Sequence, residues 1–76
     1  MRLKIDMQID YKFMFKTNLK TIREEKGLSQ KELSEKLNVP VSTYANWEQG
    51  RREPSICDIF KIIEILEIEA NELFSI

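Results

Sequence analysis

Histidine is missing from this 76-residue chain, and cysteine occurs once, as Cys57. These two facts exclude a disulfide framework, the common zinc sites and histidine-based catalysis. A lone thiol fits a reducing, cytoplasmic environment, and we expect Cys57 to be a small helix-surface or core residue. No apolar stretch approaches the roughly 20 residues that a membrane-spanning helix needs, and we expect no signal peptide. With no glycine-rich phosphate loop either, we predict a protein that is not an enzyme, has no cofactor or metal, and has no membrane partner.

The net charge is small, but the charged residues are unevenly distributed along the chain. The formal net charge is −1. Residues 1–54 carry eleven Lys and Arg against eight Asp and Glu, whereas residues 55–76 carry one against five. One part of the chain is therefore at +3 and the other at −4, an asymmetry that would orient the domain in front of a polyanion.

The first thirteen residues, MRLKIDMQIDYKF, alternate apolar and polar side chains without a break. Period two is typical of a strand with one buried face. Because the remaining chain offers no second strand to satisfy its backbone, we predict that two copies pair antiparallel across a two-fold axis. Residues 1–14 would form this dimerisation arm, next to a domain over 15–76; the alternative is a flexible leader. The dimerisation residues would be Leu3, Ile5, Met7, Ile9 and Tyr11.

After the arm the apolar period changes to that of helices. A first amphipathic helix is predicted from Phe15 to Gly27, which is a natural helix-ending residue. The capping box of Ser29 and Glu32 predicts the next helix, at residues 30–37. We expect Asn38 to end it in a left-handed conformation.

Three more short helices complete the predicted fold. The third, at residues 41–49, follows Pro40 and turns Tyr44 and Trp47 inward. The fourth, at 56–66, is capped by the Ser55 motif S-x-x-D, and a last one is predicted at about 70–75 with Leu73 and Phe74 inward. The predicted apolar face of the fourth helix is Ile56, Ile59, Phe60, Ile63 and Leu66. Together the five helices predict a compact all-α bundle.

The second and third helices are too short to be stable alone. Two helices joined by a three- or four-residue turn cross steeply, so the second can project into the major groove of DNA. The alternative is an ordinary αα-hairpin. The stretch LKTIREEKGLSQKELSEKLNVPVSTYANWEQGRREPS resembles the Cro/C1-type (XRE-family) helix-turn-helix of phage repressors and bacterial regulators. The resemblance covers residues 15–76 and implies a five-helix, lambda-repressor-like DNA-binding domain.

The resemblance also implies roles for individual residues. DNA bases would be contacted by Val41, Ser42, Ala45 and Asn46 on the third helix. Phosphates would be contacted by Ser29, Gln30, Tyr44, Gln49, Arg51 and Arg52. For Tyr44 the alternative is a core residue, and for the two arginines it is a solvated basic loop. Arg23 and Glu48 would form a structural ion pair, and Trp47 would belong to the core.

Two positions depart from the family pattern. Pro40 stands where many relatives have a capping Ser or Thr, and Glu67 stands where a glycine usually ends the fourth helix. The leading hypothesis is a sequence-specific DNA-binding transcriptional regulator, a homodimeric repressor that binds a palindromic double-stranded operator. The alternative is a protein-interaction module, such as an antitoxin or sporulation-type regulator, whose N-terminal arm binds a protein partner.

Overall fold

The structure is a computed structural model that describes residues 11–75. This range forms five helices, which confirms the predicted all-α fold. They are α1 (Tyr11–Glu25), α2 (Gln30–Leu37), α3 (Val41–Gln49), α4 (Ile56–Leu66) and α5 (Ala70–Phe74). None of these five helices has the length and apolar character needed to cross a bilayer.

The beginning of α1 corrects the predicted arm. The strand prediction is wrong for residues 11–14, because α1 already starts at Tyr11. The sequence there also satisfies the helical period, since Tyr11 precedes Phe15 by four residues and Leu19 by eight. Within α1 the carbonyl oxygens of residues 11–14 accept intrahelical hydrogen bonds and need no second strand. Lys12 also pairs with Glu53 at 2.8 Å. The other predicted arm residues lie outside the described range: Leu3, Ile5, Met7 and Ile9.

The ends of α2 agree with the capping predictions. The hydroxyl of Ser29 accepts a hydrogen bond from the Glu32 backbone N–H at 2.9 Å. In return the Glu32 carboxylate accepts from the Ser29 N–H at 2.8 Å, which lowers the pKa of Glu32. Asn38 ends the helix at φ 60°, in the predicted left-handed conformation. These local contacts fix a helix of only eight residues at both ends.

The fourth helix has the predicted bounds but a different buried face. Ser55 and Asp58 form its capping box. Ile62 is fully buried, whereas Ile56 and Phe60 are 71% and 65% exposed. The predicted face is therefore wrong at Ile56 and Phe60 and omitted Ile62, although Leu66 is buried and Ile59 and Ile63 pack against the core.

One hydrophobic core holds all five helices together. α1 packs on α3 and α5, and α2 packs on α3 and α4. The third helix contributes Tyr44 and Trp47, whose rings meet edge to face with centroids 5.9 Å apart. In the middle of α1, the Asn18 amide donates to the carbonyl oxygens of Leu73 and Ser75 at 2.9 Å. The buried apolar residues are Phe15, Leu19, Ile22, Leu33, Leu37, Tyr44, Trp47, Ile62, Leu66 and Leu73.

Candidate nucleic-acid interface

The first turn of α3 offers unsatisfied hydrogen-bond donors. Its N-cap is Pro40, which supplies no side-chain hydrogen bond to the helix. The Tyr44 N–H is the first to find an acceptor, the carbonyl oxygen of Pro40 at 3.1 Å. Three earlier N–H groups, at residues 41–43, therefore lie at the positive end of the helix dipole without an intrahelical partner. This end of α3 can receive an anion such as a phosphate.

The outer face of α3 presents small and polar groups. Val41 is 45% exposed and Ser42 is exposed, while Ala45 and Asn46 are half-buried. The buried face of the same helix holds Tyr44 and Trp47. Helical spacing puts Ser42 and Asn46 opposite that face, with Val41 and Ala45 beside them. A serine hydroxyl donates or accepts, an Asn amide can bond adenine at two atoms, and an apolar side chain can meet a thymine methyl.

A basic segment follows the helix directly. Gly50 ends α3 at φ 78°, and its N–H is bonded to the Asn46 and Trp47 carbonyl oxygens. Gln49, Arg51 and Arg52 are exposed. Among the contacts between residues 11 and 75, neither arginine has a side-chain hydrogen bond or ion pair. Both guanidinium groups can therefore bind an external anion.

The start of α2 supplies further donors. Ser29 uses its oxygen to accept from Glu32, which leaves its hydroxyl hydrogen for another acceptor. Gln30, the first residue of α2, is half-buried and bonded through its side chain to Glu48. The Gln30 and Lys31 N–H groups lie in the first turn, where a helix has no internal acceptor for them.

Glu48 is the centre of a polar network beneath this surface. Arg23 donates to it twice, from Nε to Oε2 at 2.6 Å and from Nη2 to Oε1 at 3.2 Å. The Gln30 Nε2 donates to Oε1 at 2.9 Å, and the Tyr44 hydroxyl donates to Oε2. Arg23 also donates from Nη1 to the Leu28 carbonyl oxygen at 2.8 Å. The network thus connects α1, α2, α3 and the loop that follows α1.

The network is buried, and its hydrogen bonds shift the pKa values of the groups that form it. The side chains of Arg23 and Glu48 are only 9% and 4% exposed. Burial works to raise the pKa of Glu48, but the hydrogen bonds from Arg23, Tyr44 and Gln30 outweigh it and lower that pKa. The same pairing raises the pKa of Arg23. Burial, with the bond to Glu48, raises the pKa of Tyr44 far above its ordinary value.

The position of Tyr44 favours its core alternative over the predicted phosphate contact. Its side chain has no exposed surface, and its single hydroxyl hydrogen is donated to Glu48. Sequence reasoning found the Arg23–Glu48 pair but missed that Tyr44 and Gln30 share the same carboxylate. The available signal was spacing: Tyr44 and Glu48 are four residues apart on one helix and therefore neighbours.

The fold and this arrangement define a helix-turn-helix domain. No group of three or more acidic or cysteine side chains within residues 11–75 could hold a metal ion. Residues 19–73 match the sequence profile of the family described as helix-turn-helix. The chain belongs to the Cro/C1-type helix-turn-helix family of DNA-binding transcription regulators, which are not enzymes.

Several proteins are similar over most of the chain. Control protein C.MunI of Mycoplasma sp is 36% identical over 67 residues, covering 87% of this chain and 90% of that protein. The crystal structure of the restriction-modification controller protein C.AhdI from Aeromonas hydrophila matches with a TM-score of 0.77 at 35% identity. That match covers 83% of this chain and 96% of the other. The uncharacterized HTH-type transcriptional regulator YqaE of Bacillus subtilis (strain 168) is 35% identical over 60 residues, 79% of this chain; the chain spans 52% of YqaE.

Proposed function

We propose that this protein is a transcriptional repressor that binds a palindromic operator as a homodimer and reads it with α3. The observation that carries the proposal is the outer face of α3, where Val41 and Ser42 are exposed beside Asn46. That face adjoins uncapped N–H groups at one end of the helix and exposed arginines at the other. The major groove is wide enough for one helix, and side chains of this kind discriminate base edges there.

Phosphate contacts would flank the reading helix on both sides. Arg51 and Arg52 would clamp the DNA backbone after α3, with help from Gln49. Ser29 and Gln30 would meet the backbone at the start of α2, where free N–H groups and the helix dipole favour anions. The acidic side chains of residues 55–76 would face away from the DNA, because like charges repel.

We place the dimer interface on the exposed apolar side of α4. Ile56 and Phe60 lie one helical turn apart and together expose an apolar patch that the core does not cover. Large contiguous apolar patches on soluble domains mark association surfaces, and two neighbouring large side chains are the start of such a patch. A second copy can cover it through a symmetric interface in which the same helix meets itself across a two-fold axis. That symmetry matches a palindromic operator, whose half-sites lie about 34–36 Å apart.

Light scattering at micromolar concentration distinguishes this interface from an N-terminal arm. Phe60→Asp should convert a dimer into a monomer, whereas deletion of residues 1–10 should leave the dimer intact. The opposite pattern would assign dimerisation to the arm. A wild-type protein that is itself monomeric would contradict the homodimer.

Selection of bound duplexes from a random DNA pool tests the function as a whole. We expect an inverted repeat whose half-sites are separated by about one helical turn. Recovery of unrelated sequences, together with a second polypeptide that co-purifies with the protein, would favour the protein-interaction alternative. Reporter expression from a promoter containing the selected repeat should then fall in the presence of the protein; a rise would identify an activator.

A further inference from the structure

We infer that Glu48 is a positioning residue for DNA binding: it holds the Gln30 side chain ready to donate to a phosphate. The inference rests on the proposed function, because it specifies how one of the proposed phosphate contacts is made. It starts from the 2.9 Å hydrogen bond between Gln30 Nε2 and Glu48 Oε1, which joins the first residue of α2 to α3.

The carboxylate of Glu48 has no free hydrogen-bond acceptor site. An ionised carboxylate has about four lone-pair sites, two on each oxygen. Arg23 and Tyr44 donate to Oε2, while Arg23 and Gln30 donate to Oε1. Since the Glu48 side chain is 4% exposed, it cannot exchange these partners for water. Its position is therefore fixed from three sides.

This arrangement determines which end of Gln30 remains available. A carboxylate only accepts hydrogen bonds, so Gln30 must present its amide nitrogen, and not its oxygen, to Glu48. That nitrogen carries two N–H groups, and Glu48 uses one. Within residues 11–75 the second N–H has no acceptor. A phosphate oxygen, which also only accepts, can bind this second N–H without breaking the bond to Glu48.

The bond to Glu48 should have a measurable effect on DNA affinity, because it preorganises the Gln30 side chain. A glutamine side chain that is free in solution loses rotamer freedom when it is immobilised at an interface, which weakens binding about two- to tenfold per side chain. Glu48 has already restricted Gln30 in the free protein. Removing the carboxylate from reach of Gln30 should therefore lower DNA affinity, although Glu48 itself is too buried to contact DNA.

A double-mutant cycle on DNA affinity tests the inference, with a fluorescent random-sequence 30-base-pair duplex as the probe. Glu48→Asp keeps the charge opposite Arg23 but withdraws the carboxylate by one methylene. It should weaken binding about two- to tenfold in the wild-type background and have no effect in a Gln30→Ala background. The pair Arg23→Met with Glu48→Leu, which removes the buried charges together, should behave in the same way.

Two controls separate positioning from folding. Ile62→Val removes a core methylene from a side chain that makes no hydrogen bond to the network; it should lower stability and leave affinity unchanged. Glu48→Asp and Arg51→Ala should have additive effects, because the Arg51 side chain has no hydrogen bond or ion pair with Arg23, Gln30, Tyr44 or Glu48. If Glu48→Asp weakens binding equally with and without Gln30, the inference is wrong while the proposed function stands. If the wild-type protein binds neither this duplex nor any sequence selected from the random pool, the proposed function fails and the inference fails with it.

Discussion

The network around Glu48 predicts a large and specific loss of stability when one of its charges is removed. Glu48→Leu deletes the acceptor of four hydrogen bonds and leaves a guanidinium that is 9% exposed with only the exposed Glu24 carboxylate, 3.9 Å away, as a counter-charge. Breaking a buried pair by removing one partner costs about 3–5 kcal/mol, which is a large part of the 5–15 kcal/mol that stabilises a typical domain. Urea unfolding followed by Trp47 fluorescence and circular dichroism measures this loss.

The companion variants decide whether the charge is the cause. Replacing both partners, Arg23→Met with Glu48→Leu, should recover at least half of the lost free energy of unfolding, because no uncompensated charge stays buried. Glu24→Gln is the matched control, since Glu24 is 57% exposed and 3.9 Å from the Arg23 guanidinium; it should change stability by less than about 0.5 kcal/mol. A loss below 1 kcal/mol for Glu48→Leu, or a double variant less stable than the single one, would refute the reasoning.

The same network predicts how the free energy of unfolding depends on pH in the acidic range. The pKa of Glu48 is lowered in the folded state relative to its ordinary value of 4.5. Its contribution is therefore fully present above about pH 4.5 and is lost as pH falls through the lower folded value. The stability difference between the wild type and Glu48→Leu should shrink over that acidic range, and an undiminished difference would contradict the assigned direction of the shift.

The remaining predictions concern the reading helix, the core and one strained residue. Ser42→Ala and Asn46→Ala should change the preferred sequence, each costing about 1–3 kcal/mol at its own base pair; a uniform loss over all sequences, measured by competition binding, would reassign both to phosphate contacts. Ile62→Ala should lower the free energy of unfolding by about 2–5 kcal/mol and Ile56→Ala by less than 1 kcal/mol, both measured by urea unfolding of the monomer. Equal losses would contradict the α4 register. Glu67→Gly should stabilise the fold by about 1 kcal/mol, since Glu67 has φ 56°; a loss would show that its side chain stabilises the helix end.

Helix ends were predictable from sequence because their signals are local. Ser29 and Glu32 are three residues apart, and that spacing alone brings a hydroxyl and a carboxylate to the two backbone donors they satisfy. Asn38 adopts a left-handed conformation through its own short side chain, and Pro40 lies just outside α3. The bounds of α2, α3 and α4 therefore follow from a few residues each.

Two elements could not be read reliably because their patterns fit more than one structure. The alternation through Tyr11 fits a strand, but the same residue also fits the four-residue spacing to Phe15, and helical packing decides. In α4 most residues are apolar, so no single stripe stands out. Only the position of the other helices determines that Ile62 is buried and Phe60 exposed.

In the candidate site, too, some features follow from local sequence and others depend on how the helices pack. Position on α3 places Ser42 and Asn46 on the outer face once the buried face is known. The bond between Gln30 and Glu48 joins residues 18 apart in sequence and depends on the angle at which α2 crosses α3. A single sequence contains no local signal for such a contact, which is why Gln30 was expected only to face DNA.

The dependence of DNA binding on salt tests the central claim most directly. Fluorescence anisotropy with the selected operator should show affinity falling linearly on a log–log plot against salt concentration, because phosphate contacts release counterions. Arg51→Ala with Arg52→Ala should weaken binding to all sequences about equally and flatten the slope by about two per subunit, while the preference for the operator over a scrambled duplex remains. Affinity that responds neither to salt nor to the double substitution would contradict DNA binding by this surface.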